Sequence, residues 1–475
     1  MVTTHKMLID GKWEGGKEHI SVIDKYTCEV IGEIPRATKA DVERAVASAK
    51  KAFAAYSEMP AHARAKILFR TSELLDHNKE EIAALICREA GKAWKYSVGE
   101  VARATETFQF AAEEAKRIHG ETVPMDASHG GENRMGFYIR TPVGVIAAIS
   151  PFNFPLNLVA HKVAPALAAG NTVVLKPATS TPLTAIRLAE ILVEAGVPDG
   201  VFNLVFGNGS TVGDWLVTDK RIGKITFTGS PPVGAQIMAR AGLKKVTLEL
   251  GNNSGTLIEK DADLDKAVPR CVVSAFANSG QVCISLQRLY IHESIAEEFI
   301  SKFLAATEKL KLSNPLEKDC DVGPMIDDKE AERAEQWIEE AVADGAKLLI
   351  GGKRRGRILQ PTVLTNVHPE MKVMCQEIFA PVVSLVTYRD FGEALEMMAD
   401  SEYGLQAGIY TNDIQKAFQA IKRIDVGGMM VNDTSIFRVD QMPYGGNKMS
   451  GIGREGLRYA IEEMTNIRMV CFNLA

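Results

Sequence analysis

With 475 residues, the chain is longer than one ordinary hydrophobic core and long enough for two or three domains. Its 46% hydrophobic and 24% charged residues are typical of a globular protein, and its net charge of -5 lacks the basic footprint of a protein that binds nucleic acid or an anionic membrane. Apolar runs stay below the ~20 residues of a membrane span and the first residues do not build a signal peptide, so we expect a cytoplasmic protein with no nucleic-acid or membrane partner.

The seven cysteines are odd in number, scattered, and without CxxC spacing. This pattern argues against disulfides and against a zinc site, and no metal is predicted. In the cytoplasm a thiol can stay reduced and reactive.

The first third of the chain predicts a strand start, three helices and a strand pair. A hairpin begins at 7–13, amphipathic helices cover 38–56, 61–90 and 98–118, and the apolar period shortens toward two at 121–141. Because an antiparallel ribbon leaves unpaired edges, a partner subunit is a candidate to cover it.

From residue 142 onward, apolar strands alternate with helices. The predicted strands of the first series are 143–150, 171–177, 201–206, 224–228 and 246–250, and its helices include 156–169 and 184–195. A second series, after residue 283, has strands at 288–291, 347–351, 382–388 and 407–410. The pattern predicts an α/β fold of two doubly wound, Rossmann-like lobes, with ligands bound outside the carboxyl ends of the strands.

One cysteine stands in a run of small, apolar and neutral polar residues at 274–285. We interpret Cys283 as a nucleophile, and Gly280 as a position where the backbone comes close to a bound ligand. The alternative is a buried core cysteine, which is the commoner fate of a lone cysteine. The neighbourhood of Cys283 by itself does not decide between the two.

Two further stretches carry polar residues that suit chemistry. If the chain is helical after Pro151, then Asn153, Asn157 and His161 share one face, where amide groups can bind an oxyanion. We treat His161 as a polar cleft residue and not as a metal ligand. Glu249 closes an apolar strand, where it is either a solvated strand end or a general base whose pKa is raised by its apolar neighbours.

A glycine turn at 227–234 joins a strand to a helix. Its amide groups and the helix dipole can face a phosphate, although an unliganded turn fits equally well and neither GxGxxG nor a P-loop is present. The glycine-rich segment 207–213 leaves the same two alternatives open.

Taken together, six motifs in this order resemble the NAD(P)-dependent aldehyde dehydrogenase superfamily over nearly the whole chain. They are Pro151-Phe152-Asn153-Phe154-Pro155, Lys176-Pro177-Ala178, Phe227-Thr228-Gly229-Ser230, Leu248-Glu249-Leu250-Gly251, Gly280-Gln281-Val282-Cys283 and Glu377-Ile378-Phe379-Ala380-Pro381. The resemblance implies that Cys283 attacks an aldehyde, that Asn153 and the Cys283 amide hold the oxyanion, and that Glu249 activates water.

The resemblance also implies a site for NAD or NADP. Lys176 would contact the adenosine ribose, Ser230 the pyrophosphate, and Glu377 with Phe379 the nicotinamide ribose and ring. The full set of implied cofactor residues is Ser150, Pro151, Phe152, Lys176, Thr179, Gly209, Phe227, Gly229, Ser230, Val233, Leu250, Gly251, Glu377 and Phe379. Thr179 stands where many NAD-specific members carry Glu, so we expect NADP to be accepted.

Within that family, the stretches 283–288 and 433–446 look like the branch of lactaldehyde, phosphonoacetaldehyde and sulfolactaldehyde dehydrogenases. Candidate substrate residues are Asn157, His161, Ile284, Arg288 and Arg438, with Arg103 as a further source of positive charge. A structural ion pair is the alternative for each arginine.

Two alternative functions remain. A succinate-semialdehyde type dehydrogenase would use the same chemistry and differ only in its substrate pocket. A non-enzymatic binding or structural role is opposed by the intact Cys283, Glu249 and Asn153.

The resemblance implies three structural parts. Residues 1–121 and 142–250 would bind NAD(P), 251–454 would form the catalytic domain, and 122–141 with 455–475 would form an oligomerisation element. It also implies a homodimer or homotetramer.

Overall fold

The computed structural model describes residues 2–475. The helices are α1 Lys39–Tyr56, α2 Ala61–His77, α3 Lys79–Ala90, α4 Trp94–Ala115, α5 Asn157–Ala168, α6 Leu183–Glu194, α7 Asp214–Thr218, α8 Pro231–Ala241, α9 Leu264–Phe276, α10 Glu293–Thr307, α11 Asp328–Ala343, α12 Lys372–Cys375, α13 Phe391–Ala399, α14 Ile414–Arg423 and α15 Leu457–Glu463.

The strands are β1 Met7–Ile9, β2 Lys12–Glu14, β3 His19–Ile23, β4 Val30–Pro35, β5 Thr122–Val123, β6 Arg134–Pro142, β7 Val145–Ile149, β8 Thr172–Lys176, β9 Phe202–Leu204, β10 Ile222–Thr228, β11 Lys245–Glu249, β12 Gly255–Ile258, β13 Arg288–His292, β14 Lys347–Ile350, β15 Arg354–Arg355, β16 Ile358–Leu359, β17 Thr362–Thr365, β18 Val382–Tyr388, β19 Tyr403–Gly404, β20 Gln406–Tyr410, β21 Gly428–Val431, β22 Asn447–Lys448, β23 Gly451–Ile452 and β24 Thr465–Asn473.

The first large sheet has eight strands in the order β2-β1-β9-β8-β7-β10-β11-β23. Its five central strands, β9 to β11 in that order, are parallel, and the edges are antiparallel. All five residues of β7 are buried, as expected for a parallel strand covered by helices on both faces. The five strands predicted for the first series are therefore confirmed.

The second large sheet has seven strands in the order β14-β17-β18-β13-β12-β20-β21. Every neighbouring pair is parallel except β14 with β17. The prediction that this series starts after Cys283 is wrong, because β12 precedes that residue. Sequence reasoning missed the four-residue strands β12, β17 and β21, which form because neighbouring strands pair with them.

A three-stranded antiparallel ribbon, β24-β6-β5, joins residues 122–142 to the last strand of the chain. The strands β6 and β24 pair over nine residue pairs, from Pro142 with Thr465 to Arg134 with Asn473. Several apolar side chains of this ribbon are exposed, namely Met135, Ile139, Ile467, Met469 and Phe472.

Two predicted helices differ from the structure. The predicted helix 61–90 is two helices, broken at Asn78, whose side-chain amide donates a hydrogen bond to the Leu74 carbonyl at the end of α2. The helix expected after Pro151 starts only at Asn157, so Asn153 lies in the preceding loop and does not share a helix face with Asn157 and His161. Pro155 disfavours a helical conformation of Phe154, the residue before it, and so delays the helix start.

The α/β fold with two parallel sheets agrees with the prediction. The division of the chain into three domains stays a prediction, and β23, assigned to the catalytic part, pairs with β11 of the first sheet. Within residues 2–475, no helix is long and apolar enough to cross a membrane.

Candidate active site

The loop that carries Cys283 begins with three residues in the left-handed backbone conformation. After α9, the residues Asn278, Ser279 and Gly280 have φ angles of 52°, 56° and 70°. A Cβ atom on Gly280 would lie 2.0 Å from the Ala380 carbonyl oxygen, so only glycine fits. This corrects the interpretation of Gly280, because the group that comes close to it belongs to the chain itself. The turn holds Cys283 at the start of the segment that leads into β13.

Cys283 lies where two cavities meet, each of about 400 Å³. Its side chain is half-buried. The Arg438 cavity, on one side, is lined by residues that include Arg103, Asn157, Ile284, Arg438 and Tyr444. The Glu377 cavity, on the other side, is lined by residues that include Phe152, Asn153, Ser230, Glu377 and Phe379. One thiol is thus accessible from two compartments, as a reaction between two different ligands requires.

Most predicted cofactor residues line one of two cavities. The Glu377 cavity is lined by Pro151, Phe152, Gly229, Ser230, Leu250, Gly251, Glu377 and Phe379. A third cavity of about 430 Å³, the Val233 cavity, is lined by Gly209, Phe227 and Val233 among others. The cavities thus gather residues from motifs that are up to about 230 positions apart in sequence.

The three remaining predicted cofactor residues lie beside these cavities. Lys176 Nζ and Thr179 Oγ1 both donate to the Gly207 carbonyl oxygen, at 3.1 and 2.9 Å, and burial lowers the pKa of Lys176 to about 8. The buried Ser150 hydroxyl has no hydrogen-bond partner among residues 2–475. A buried, unsatisfied hydroxyl beside a cavity fits a site that is completed by a polar ligand.

Glu377 is buried and is held by the backbone of another motif. The Asn252 amide donates a hydrogen bond to Glu377 Oε1 at 2.8 Å, and burial raises the Glu377 pKa to about 7. A Cβ atom at Gly251 would lie 2.5 Å from Glu377 Oε2, so a larger residue at position 251 would clash with this carboxyl group. A carboxyl group held in this way can bind the two hydroxyls of a ribose.

The helix α8 begins with two prolines after Ser230. Proline has no amide hydrogen, so Pro231 and Pro232 remove two of the donors that a helix N-terminus normally offers. Val233 is the first residue of this helix whose amide can donate to a phosphate.

The Cys283 thiol is in contact with a tyrosine. Its Sγ atom lies 2.9 Å from the Tyr444 hydroxyl oxygen, and burial raises the Cys283 pKa to about 11. Asn153, buried in the adjacent loop, donates from Nδ2 to the Gln281 carbonyl at 3.0 Å. That bond uses one of its two amide hydrogens and ties Asn153 to the loop that precedes Cys283, which leaves the other hydrogen available.

Glu249 ends β11 in a buried position, with 2% of the residue exposed. Neither carboxyl oxygen has a hydrogen-bond partner among residues 2–475. Burial first, and then the charge of Glu455, raise the Glu249 pKa well above its ordinary value. The alternative of a solvated strand end is therefore wrong, and an unsatisfied buried carboxyl group is suited to accept a proton.

Behind Glu249 lies an ion cluster that sequence reasoning missed. Glu455 accepts hydrogen bonds from Lys162 at 3.1 Å and from Arg438 at 3.0 Å, and these cations contribute to lowering its pKa to about 2. Lys162 is fully buried in α5 and also donates to Thr228 at 2.6 Å. A lysine in a mostly apolar helix was the available signal, since lysine is almost never fully buried without a partner.

A second missed residue, Asp440, organises three of the predicted substrate residues. Its carboxylate is 2.7 Å from His161 Nε2 and accepts bonds from Asn157 Nδ2 and from Arg103. Asn157, Arg103, Arg438 and Ile284 line the Arg438 cavity. His161 is buried behind that cavity, which corrects its assignment as a cleft residue; it supports Asp440 instead.

The prediction that Arg288 contacts substrate is wrong. Its guanidinium donates hydrogen bonds to the carbonyl oxygens of Asn253, Met398 and Asp400 and to the Tyr290 hydroxyl, at 2.9 to 3.2 Å. The residue is 4% exposed and does not line the cavities that meet at Cys283. Neither the predicted contact nor the alternative of an ion pair describes it, because its main partners are neutral carbonyl groups.

Comparison with known proteins agrees with this geometry. Residues 13–470 match the model of the aldehyde dehydrogenase family. The chain is 50% identical over 473 residues to the 3-sulfolactaldehyde dehydrogenase of Priestia aryabhattai, covering 100% of this chain and 99% of the relative. It is 41% identical over 471 residues to the lactaldehyde dehydrogenase of Methanococcus aeolicus, covering 98% and 100%.

A solved structure has the same fold. Aldehyde dehydrogenase 21 from Physcomitrella patens, in complex with the reaction product succinate, superimposes with a TM-score of 0.97 at 42% identity, covering 100% of this chain and 99% of that one. The chain therefore belongs to the aldehyde dehydrogenase family, and the predicted family, branch and fold are confirmed.

Proposed function

We propose that this aldehyde dehydrogenase oxidises a small aldehyde with an anionic tail, such as sulfolactaldehyde, to the carboxylate. The aldehyde end would react at Cys283 and the tail would occupy the Arg438 cavity. The oxidation is NAD(P)-dependent. The cofactor would lie in the Glu377 cavity, on the opposite side of the thiol.

The charge of the Arg438 cavity carries the proposal. Its lining includes five cationic side chains, Lys92, Lys95, Arg103, Arg270 and Arg438, and one carboxylate, Glu100. The partner carboxylates Asp321, Asp433, Asp440 and Glu455 are not among the lining residues. Lys92 differs from the other four cations, because its partner Glu100 also lines the cavity. Four cations that line a cavity, with their counter-ions outside its lining, favour an anionic ligand.

One buried donor in this cavity supports the same substrate class. Arg438 binds Glu455 through Nη2, whereas its Nε atom is buried without a hydrogen-bond partner in the described part of the chain. An unsatisfied buried guanidinium nitrogen is costly, so a sulfonate, phosphonate or carboxylate oxygen that reaches it would be bound with extra free energy.

In the proposed reaction, the Cys283 thiolate attacks the aldehyde carbon and forms a carbon–sulfur bond. The Asn153 amide and the Cys283 backbone amide stabilise the oxyanion that develops on the carbonyl oxygen. After oxidation to the thioester, Glu249 takes a proton from a water molecule, which attacks the same carbon. The carbon–sulfur bond then breaks and its electron pair returns to Cys283, which is restored as a thiolate. The acid gives its remaining proton to water and leaves as the carboxylate.

The residues of the Glu377 and Val233 cavities would hold NAD or NADP. Glu377 would bind the nicotinamide ribose, Phe379 would contact the ring, and Lys176 and Thr179 would lie near the adenosine ribose. When bound, the cofactor supplies the acceptor for the hydride that the aldehyde loses. Thr179 carries no charge that would repel a 2'-phosphate, so we propose that NADP is accepted.

The test is initial NADH and NADPH formation with sulfolactaldehyde, phosphonoacetaldehyde, glyceraldehyde 3-phosphate, succinate semialdehyde and lactaldehyde. The proposal expects the highest kcat/KM with an anionic aldehyde and no turnover in Cys283→Ala, which should still bind cofactor. A highest kcat/KM with uncharged lactaldehyde would reject the anionic tail, and turnover by Cys283→Ala would reject the mechanism.

A succinate-semialdehyde type dehydrogenase is the second candidate. It is favoured by the succinate bound to the Physcomitrella patens relative and requires the same cationic cavity. The substrate panel separates the two, because succinate semialdehyde has a carboxylate in place of the sulfonate and lacks the 2-hydroxyl group of sulfolactaldehyde.

We also propose a homodimer or homotetramer in the cytoplasm. The exposed apolar residues of the ribbon β24-β6-β5 support an interface between copies, since such strand edges favour association. All seven cysteines are unpaired, which supports a reducing compartment such as the cytoplasm.

A further inference from the structure

Tyr444 contacts the proposed nucleophile, Cys283, but has no role in the mechanism above. Its hydroxyl oxygen lies 2.9 Å from Cys283 Sγ, although the two residues are 161 positions apart. The residue is 3% exposed, and its ring packs in an apolar cluster with Val282, Ile284 and Leu405. Apolar packing fixes the ring, so the hydroxyl is held at the sulfur atom.

Arg438 covers the face of the same ring. The central carbon of its guanidinium is 3.5 Å from the Tyr444 ring centroid, and Glu455 anchors the group through a hydrogen bond of 3.0 Å. A cation on the face of an aromatic ring is attracted to its π electrons. It also withdraws electron density from the ring and makes the phenolic hydroxyl a stronger hydrogen-bond donor.

The environment of the thiol shows which partner donates. Burial and the carboxyl groups of Glu249 and Glu377 raise the Cys283 pKa, whereas Tyr444 and Arg438 lower it. The pKa of Tyr444 is raised well above its ordinary value, first by burial. The negative charge of an ionised Cys283 also raises the Tyr444 pKa, so Tyr444 keeps its proton beside the thiolate and its hydroxyl can only donate to it.

We infer that Tyr444 is a catalytic residue, whose hydroxyl donates a hydrogen bond to the Cys283 thiolate while Arg438, stacked on its ring, strengthens that donor. The inference rests on the proposed role of Cys283 as nucleophile. The 2.9 Å contact, the packed ring and the stacked guanidinium carry it.

The hydrogen bond acts at two steps of the reaction. It increases the fraction of Cys283 that is ionised before attack, when the thiol proton passes to water in the cavity. During thioester hydrolysis the carbon–sulfur bond breaks and its electron pair returns to sulfur, where the Tyr444 hydroxyl stabilises the departing thiolate. Tyr444 keeps its own proton throughout, so neither step needs a further reactant.

The first test is Tyr444→Phe, which removes the hydroxyl and retains the ring. The rate of Cys283 alkylation by iodoacetamide is measured from pH 6 to 10 by mass spectrometry of the Cys283 peptide, so that the exposed cysteines do not contribute. This range lies below the thiol pKa of about 11, where the rate is proportional to the ionised fraction, so a change in rate at a given pH reports the change in apparent pKa. Loss of a hydrogen bond to a charged group should raise the apparent pKa of the thiol and slow alkylation at pH 8 about tenfold. An unchanged or lowered apparent pKa would overturn the inference.

Tyr56→Phe is the matched control. Tyr56 is a buried tyrosine of the first lobe, whose hydroxyl donates to the Leu167 carbonyl at 3.1 Å. This variant also loses one buried hydroxyl, but its alkylation profile at Cys283 should equal that of the unmodified protein. A shift of the same size in both variants would also overturn the inference.

A second variant covers the case in which Tyr444→Phe does not fold. Incorporation of 3-fluorotyrosine at position 444 keeps the ring and provides a more acidic hydroxyl, so the apparent pKa of Cys283 should fall. An unchanged value would contradict the inference. Because alkylation reports on the thiol itself, this result is separate from turnover of Cys283→Ala, which tests the proposed function.

Discussion

Arg103 holds Asp440 through two parallel hydrogen bonds, from Nε at 3.2 Å and from Nη2 at 2.7 Å, across 337 positions of sequence. This pair connects α4 to the segment before Tyr444, and Arg103 lines the Arg438 cavity. Its third nitrogen, Nη1, makes no hydrogen bond to the described residues, so it can bind an anionic tail while Asp440 fixes the side chain.

We therefore expect Arg103→Met to raise KM for an anionic aldehyde by about 10- to 100-fold, because the variant loses one hydrogen bond between charged groups. KM for uncharged lactaldehyde should change little. The measurement is steady-state kinetics with both aldehydes, and Arg103→Lys should recover part of the loss because it retains the charge. An equal increase for both substrates would show that Arg103 is structural.

Arg288→Ala is the matched control, because this buried arginine binds backbone carbonyls away from the cavities at Cys283. It should reduce the free energy of unfolding by about 3 kcal/mol through carbonyl groups left without donors. The ratio of kcat/KM for anionic and uncharged aldehydes should stay unchanged. A selective fall in kcat/KM for the anionic aldehyde would show that Arg288 binds substrate, as predicted from sequence.

Glu249→Gln should reduce kcat about 10²- to 10⁴-fold, since the variant lacks the base that activates water. A single turnover, followed as a burst of NADH or NADPH, should persist. In the unmodified enzyme, the raised Glu249 pKa means that the group is protonated at low pH and becomes a base as pH rises. The hydrolysis rate should therefore rise with pH through that pKa and fall below it. A full steady-state rate in the variant would contradict this role.

Thr179→Glu should select against NADP. Thr179 lies at the Gly207 loop, and a carboxylate there would repel a 2'-phosphate. We expect kcat/KM for NADP to fall about tenfold or more relative to NAD. Thr179→Gln, of the same size but uncharged, separates charge from shape. If both variants lose NADP equally, the cause is steric.

Ile467→Glu should weaken assembly. Ile467 is 63% exposed on β24, in an apolar face of the ribbon. A charge buried in an interface costs free energy, so the variant should dissociate at higher protein concentration than the unmodified chain in analytical ultracentrifugation. Ile414→Glu, at an equally exposed position on α14, is the control. If the two variants dissociate at the same protein concentration, the interface does not include the ribbon.

The sequence by itself determined the family, the two parallel sheets and the motifs at Asn153, Glu249 and Cys283. Each depends on residues close together in the chain, where strand period, turn residues and motif spacing act locally. The same local reasoning missed the strand β12, which forms because β13 and β20 pair with it on either side.

Only the tertiary structure decided which side chains meet. It brought Tyr444 to Cys283, Asp440 to His161 and Glu455 to Lys162, across 161, 279 and 293 positions. It also showed that Arg288 binds backbone carbonyls whereas Arg438 lines the cavity. From sequence, both arginines had been predicted to bind substrate. The physical reason is that burial and partner choice depend on which strands lie side by side and which loops close over their ends, and both are set by long-range packing.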